Sequence, residues 1–162
     1  MIKKLLISIT VSLLLLSCDF NESNNTTSFQ DNPGISKITA GWGYTLILDQ
    51  DGIVWGTGTN YYGVLSLNDY DDINKPKKVI KQVLAVSGGT NHAMFLKTDG
   101  TLYAAGDNSA GQLGNGTFGE EHSENPVQIM TDVKAVSAGF SHTMILKTDN
   151  TLWGTGYNES GQ

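Results

Sequence analysis

The constraint that decides what this chain can fold into is an internal repeat. Residues 84–112 read LAVSGGTNHAMFLKTDGTLYAAGDNSAGQ, and fifty positions later residues 134–162 read KAVSAGFSHTMILKTDNTLWGTGYNESGQ, identical at 16 of 29 positions without a gap. An earlier copy, residues 36–64, matches the last at 12 of 29. Self-similarity at about 50 residues marks an array of one supersecondary unit, which buries its apolar faces only by stacking on its neighbours.

Each copy follows the same plan. A short apolar segment ends in Gly41, Gly89 or Gly139, where the chain turns closely. A run such as His142-Thr-Met-Ile-Leu follows, too short for a helix and apolar on alternate and intervening positions alike, as in a strand covered on both faces. Asp51-Gly52, Asp99-Gly100 and Asp149-Asn150 come next, residue pairs that tolerate the positive φ of a tight hairpin. A return strand carries Trp55, Tyr103 or Trp153 and closes on Gly58, Gly106 or Gly156. Pro76 and Pro126 then open a fourth short segment. Four short strands per 50 residues predict an all-β chain of about three four-stranded propeller blades over residues 35–162. Nineteen glycines and thirteen asparagines fit so many turns.

At this point a family comes into view. Gly139-Phe-Ser-His142-Thr143, Trp153-Gly-Thr-Gly156 and Asn158-Glu-Ser-Gly161-Gln162 resemble the regulator of chromosome condensation repeat, as do Gly89-Thr-Asn-His92, Tyr103-Ala-Ala-Gly106 and Asn108-Ser-Ala-Gly111-Gln112-Leu113-Gly114. The first copy departs from the pattern: Tyr44 replaces the His, and Val64-Leu65-Ser66 replaces Gln-Leu-Gly, so an irregular blade edge is expected there. The resemblance implies a seven-bladed ring. Three copies cannot close one, and the chain is therefore expected to be a piece of a longer protein whose terminal blades expose apolar faces and open edges. The founding member's nucleotide-exchange role on a small GTPase is one functional expectation. Bacterial relatives resembling secreted inhibitors of β-lactamases are another. The leading one is a non-enzymatic protein-binding or scaffold module.

The N-terminus places that module. Met1–Lys4 is a short basic start, Leu5–Leu16 a mainly apolar run, and Leu15-Leu16-Ser17-Cys18 resembles a bacterial lipobox. A dozen apolar residues are too few to span a bilayer, which takes about 20. Residues 1–17 thus read as a lipoprotein signal peptide, Cys18 as the lipid-bearing residue, and the polar stretch 18–34 as a tether. Such a chain is exported and lipid-anchored in a bacterial envelope. Its net charge of −6, with no arginine, argues against a nucleic-acid partner.

No catalytic, cofactor-binding or metal set emerges. His92 and His142 share one repeat position and belong in successive blades, while His122 sits in a variable loop beside Glu120 and Glu121. Gly56-Thr-Gly58 has no helix after it to make a phosphate loop. The repeat suggests instead where a protein partner would bind, at turn positions that vary while the framework stays fixed. Between Gly and His these include Trp42, Thr90, Asn91, Phe140 and Ser141, and between Asn and Gly they include Tyr61 and Tyr62. Large aromatics in turns are what interfaces use. For the leader, Cys18→Ala is expected to abolish palmitate labelling and detergent-phase partitioning, since each buried acyl methylene contributes about 0.8 kcal/mol to anchoring. Equal labelling of both forms would end the lipoprotein assignment.

Overall fold

The computed structural model describes residues 34–66, 70–119 and 122–162, the side chains of His122 and Glu124 excepted. Cys18, the leader and the tether up to residue 33 lie outside the described residues. Eleven strands are described: β1 (Ile35–Ala40), β2 (Tyr44–Asp49), β3 (Val54–Gly58), β4 (Ile73–Ile80), β5 (Val83–Gly88), β6 (His92–Lys97), β7 (Leu102–Asp107), β8 (His122–Met130), β9 (Val133–Ala138), β10 (His142–Lys147) and β11 (Leu152–Gly156). They make three antiparallel sheets in sequence order, β1-β2-β3-β4, β5-β6-β7-β8 and β9-β10-β11. The first two copies give complete four-stranded blades, and the third gives three strands among the described residues. Register repeats with the sequence: Tyr44 faces Gly58, His92 faces Gly106 and His142 faces Gly156.

The sheets stack face to face. β5 lies against β1 and β2 on one side and against β9 on the other. That explains why β6 is apolar at successive positions rather than alternate ones: Ala93 and Phe95 join a core with Leu46, Leu48 and Val54 of the first sheet, whereas Met94 and Leu96 join a core with Ile145 of the third. Leu65 and Leu113, from the segment after each Asn-x-x-Gly, fill these same two cores.

Both fourth strands begin before their prolines, at Ile73 and His122, so Pro76 and Pro126 lie inside β4 and β8 rather than opening them. The ladder jumps there, from Gly56–Lys77 to Gly58–Ile73 and from Ala104–Val127 to Gly106–Ser123. Each proline thus sits in a bulge of an outermost strand, where a missing N–H costs no ladder bond.

Turns alternate between two ends of the array. At the lower end, Gly52, Gly100 and Asn150 take φ of 75°, 83° and 68°, as the hairpins require. The carbonyls of Gly52 and Gly100 also accept the Val83 and Val133 N–H groups, at 2.9 and 3.0 Å, tying each hairpin to the start of the next blade. Asp99 and Asp149 each accept a threonine N–H within their turns at 2.9 Å. In the first copy that role passes from Asp51 to buried Asp49, which accepts from the Asp51 and Ile53 N–H groups and from Trp55 Nε1.

At the upper end, the expected irregularity of the first Asn-x-x-Gly segment does not arise. Asn60 Oδ1 accepts the Leu65 N–H at 2.8 Å, as Asn108 Oδ1 accepts that of Leu113 at 3.1 Å. Ser66 takes φ 54° where Gly114 takes 77°, and both donate their N–H to the matching glycine carbonyl. The Ser66 hydroxyl is buried without a hydrogen-bond partner. Ser66→Gly is therefore expected to stabilise the chain by about 1 kcal/mol, relieving a left-handed serine and an unsatisfied hydroxyl. A lower urea midpoint for the variant would contradict this account.

Candidate functional site: the upper rim of the blades

What positions the upper rim is a ring side chain at the start of the second strand of each copy. Tyr44 is buried and its hydroxyl lies 2.8 Å from Gly89 O and 2.7 Å from His92 O, so one proton is shared between two carbonyls of the next blade. Burial pushes this phenol above its ordinary pKa. His92, fully buried, reaches the following blade in the same way, with Nε2 2.9 Å from Thr143 Oγ1. The Thr143 hydroxyl donates to Gln112 O at 2.8 Å, so it accepts from His92 and the imidazole proton sits on Nε2. Nδ1 is left buried without a hydrogen-bond partner.

These rings explain the glycine three residues earlier. A methyl group on Gly41 would collide with the Tyr44 ring, and one on Gly89 or Gly139 with the imidazole of His92 or His142. None of the three takes a positive φ; each makes room for a ring folded back over it. Each also donates its N–H to the carbonyl of that ring residue, at 2.8–3.0 Å.

The tips above the rings carry the residues singled out by the repeat. Trp42 N–H donates to Thr90 O at 2.9 Å and Thr90 N–H to Phe140 O at 3.4 Å, so equivalent tips of successive blades form a main-chain relay. The next residue of each tip holds the end of the return strand: Gly43, Asn91 and Ser141 carbonyls accept the N–H groups of Thr59, Asp107 and Tyr157 at 2.8–2.9 Å. The two candidate turns of each blade are thus joined at one end. Trp42, Tyr61 and Phe140 are 70%, 67% and 76% exposed. Trp42 stays exposed although the following blade is in place beside it. Tyr62, T-stacked on Tyr61 at 4.9 Å, is half-buried, as are Thr90, Asn91 and Ser141. Their backbones build the rim, and the exposed aromatics face outward from it.

Three further exposed aromatics belong to this end and were not marked by the repeat comparison: Tyr70, Phe118 and Tyr157. Tyr70 and Phe118 lie in the long connections β3–β4 and β7–β8, beyond the positions that the repeat comparison aligns. Tyr157 stands where Asp107 stands in the second copy, and only its place in a turn could have flagged it. The described upper turns bear Asp71, Asp72 and Glu159 and no lysine. The lower turns hold no aromatic residue. Among the described residues no three His, Cys, Asp or Glu side chains gather as a metal site, and His92 and His142 occupy successive blades.

Stacked four-stranded sheets tied by a ring residue at each junction define a β-propeller repeat array. The repeat described as "Regulator of chromosome condensation (RCC1) repeat" matches residues 35–64, 83–112 and 133–162, with a second form of it matching 99–146. Together these cover more than half of the sequence, and the chain belongs to that repeat family. Human E3 ubiquitin-protein ligase HERC2 is 33% identical over 88 residues, covering 52% of this chain and 2% of its own length. The zebrafish (Danio rerio) Protein RCC2 homolog is 34% identical over 77 residues, covering 45% of this chain and 16% of its own. The Ultraviolet-B receptor UVR8 of Arabidopsis thaliana is 33% identical over 89, covering 52% and 20%. The chain therefore matches a small part of each relative's length. Among solved structures, yeast RCC1 (Prp20) bound to Kap60 superposes with a TM-score of 0.71 at 23% identity, covering 82% of this chain and 31% of that one. Human WBSCR16 gives 0.72 at 21%, covering 80% and 35%. These two likenesses establish the fold.

The junction carries a pH signature. Burial holds the His92 imidazole down to about 4, against the opposing pull of the Asp107 carboxylate. Between that value and the ordinary 6.5, the unfolded chain binds a proton that the folded one refuses, so stability falls as pH drops through this window and is fully present above it. The loss from this site is expected to reach about 3 kcal/mol at most. Replacing His92 by Tyr together with Thr143→Ala copies the Tyr44–Ala93 junction and should remove that part of the dependence. Urea midpoints at pH 7 and pH 5 measure it, and an unchanged difference in the double variant would refute the assignment.

Proposed function

We propose that this chain is a non-enzymatic protein-binding module, the propeller part of an exported lipoprotein held on a bacterial envelope membrane through Cys18, and that its partner docks on the upper rim. The observation that carries this reading is an asymmetry. Trp42, Tyr61, Tyr70, Phe118, Phe140 and Tyr157 are all exposed at one end of the blades, and the opposite turns carry no aromatic residue. Large amphipathic rings on a rigid rim supply contact area at small cost in side-chain ordering, which is why interfaces concentrate them. The rim is rigid because its tips are bonded blade to blade through the main chain. Acidic neighbours without lysine favour a partner surface that carries basic groups. The family's solved structures support the class of ligand, since yeast RCC1 (Prp20) was crystallised bound to Kap60 and Prp20p was studied for binding to Gsp1p and histones.

Binding residues and packing residues separate in a melting experiment. Trp42→Ala with Tyr61→Ala is expected to change stability by no more than about 0.5 kcal/mol, because neither ring is buried. Packing residues of this size would cost about 3–5 kcal/mol each. In cells, a photo-crosslinking side chain at position 42 or 140 should give a discrete adduct that one at Thr131, on the lower end, does not. Equal crosslinking from both ends would overturn the assignment of the rim.

A further inference from the structure

Between Ile73 and Thr98 the sequence holds five lysines and no aspartate or glutamate, in a chain whose net charge is −6. Four of them, Lys75, Lys77, Lys78 and Lys81, lie on β4 or directly after it, and all four are exposed. The fifth, Lys97, reaches the same corner, its Nζ donating to Lys81 O at 2.6 Å. β4 stands at the edge of the first sheet, paired with β3, and from Lys75 to Lys81 the chain rises about 20 Å. Blades stack on the faces of a sheet and not on this edge, so its exposure does not depend on how many blades an array has.

The fold does not ask for these charges. Lysines on an edge strand guard against pairing with another chain, yet β8, the edge of the second sheet, does without them. Trp55–Lys78 and Gly56–Lys77 in the first ladder become Tyr103–Gln128 and Ala104–Val127 in the second. Lys75 before Pro76 answers to Asn125 before Pro126. Lys81 answers to Thr131, each followed by a residue of positive φ, Gln82 and Asp132. All four counterparts are neutral. Lys78 does cover the Trp55 ring, 5.1 Å from its centre, but the second blade covers Tyr103 with Lys97 of β6, at 5.5 Å, and needs no lysine on β8 for it.

Successive strand residues point to opposite faces, so Lys77 and Lys78 share an edge rather than a face. They do not converge on one compact anion. They suit a broad anionic plane met edge-on, to which hydrated ammonium groups are drawn one by one. We propose that the β4 edge docks on the anionic headgroups of the bilayer that holds the lipid anchor. The proposal rests on the lipoprotein reading for the presence of a bilayer, and on the lysines for the orientation. The stretch from Cys18 to Gly34 can span at most about 55 Å, so the anchor by itself leaves the choice of face open. The β4 edge makes that choice. Asp71 and Asp72, which precede β4 at the upper end, repel the same headgroups and leave the aromatic rim facing solution for its partner.

Lysine footprinting tests this. The lipidated chain is reconstituted into vesicles of phosphatidylcholine, or of equal parts phosphatidylcholine and phosphatidylglycerol, and acetylated with limiting reagent, and each lysine is read by peptide mass spectrometry. Reactivity at Lys75, Lys77, Lys78 and Lys81 is expected to fall by about 5-fold or more on the anionic vesicles, the factor that one lysine near such a surface supplies. It should recover in high salt. Lys134 and Lys147, on the third sheet, should react alike on both vesicles. Lys77→Glu with Lys78→Glu should return Lys75 and Lys81 to their reactivity on neutral vesicles, with the far-ultraviolet circular dichroism of the parent, since both positions are exposed. Flotation with neutral vesicles reports the anchor by itself: a chain left behind overturns the lipoprotein reading and this orientation with it. A chain that floats while its β4 lysines react equally on both vesicles overturns the orientation alone. Protection shared by Lys134 and Lys147, or reproduced by dissolved inorganic phosphate without anionic lipid, would overturn it as well.

Discussion

One contact organises the molecule: the ring that each blade extends into the next. A propeller blade is a sheet with two apolar faces, and stacking alone would leave neighbouring sheets free to slide. Tyr44 and His92 fix the offset by engaging polar atoms of the following blade at its turn. The glycine beneath each ring, the aligned tips above it and the leucine plugs of the Asn-x-x-Gly segments all depend on that offset. Because both ring residues are buried, the contact is also where a proton or a misplaced methyl group would do most harm.

The two junctions solve the same problem with different chemistry. A phenol is long enough to reach main-chain carbonyls, and the facing residue is accordingly the small Ala93. An imidazole is shorter and uses the Thr143 hydroxyl as an intermediary to Gln112. The residue one blade further on is thus part of the choice, so ring and mate form a matched pair.

Much of this was legible in the residues. The 50-residue repeat, the two-faced strands and the Asp-Gly hairpins translate directly into three stacked sheets, because period and turn chemistry act locally. Reasons that depend on the neighbouring blade were not legible. Gly41, Gly89 and Gly139 read as turn glycines, yet they are small to admit a ring. Ser66 reads as a defect and proves to follow the same path as Gly114, since the Asn60 side chain dictates it. Asp51 reads as the turn carboxylate, and Asp49 holds the turn instead, because only Asp49 also meets the Trp55 indole. Of the rim, the repeat comparison found the tips but not Tyr70 or Phe118, which lie in connections beyond the 29 positions compared.

The main-chain relay from Trp42 through Thr90 to Phe140 has a consequence for change over time. Its bonds run between amide and carbonyl groups, which every residue but proline possesses, so the architecture at those points is indifferent to the side chain they carry. A tryptophan, a threonine and a phenylalanine already share the three places. Mutations there alter the outward chemistry while the framework keeps its geometry, and the array can acquire new specificities one blade at a time, each without revising the others.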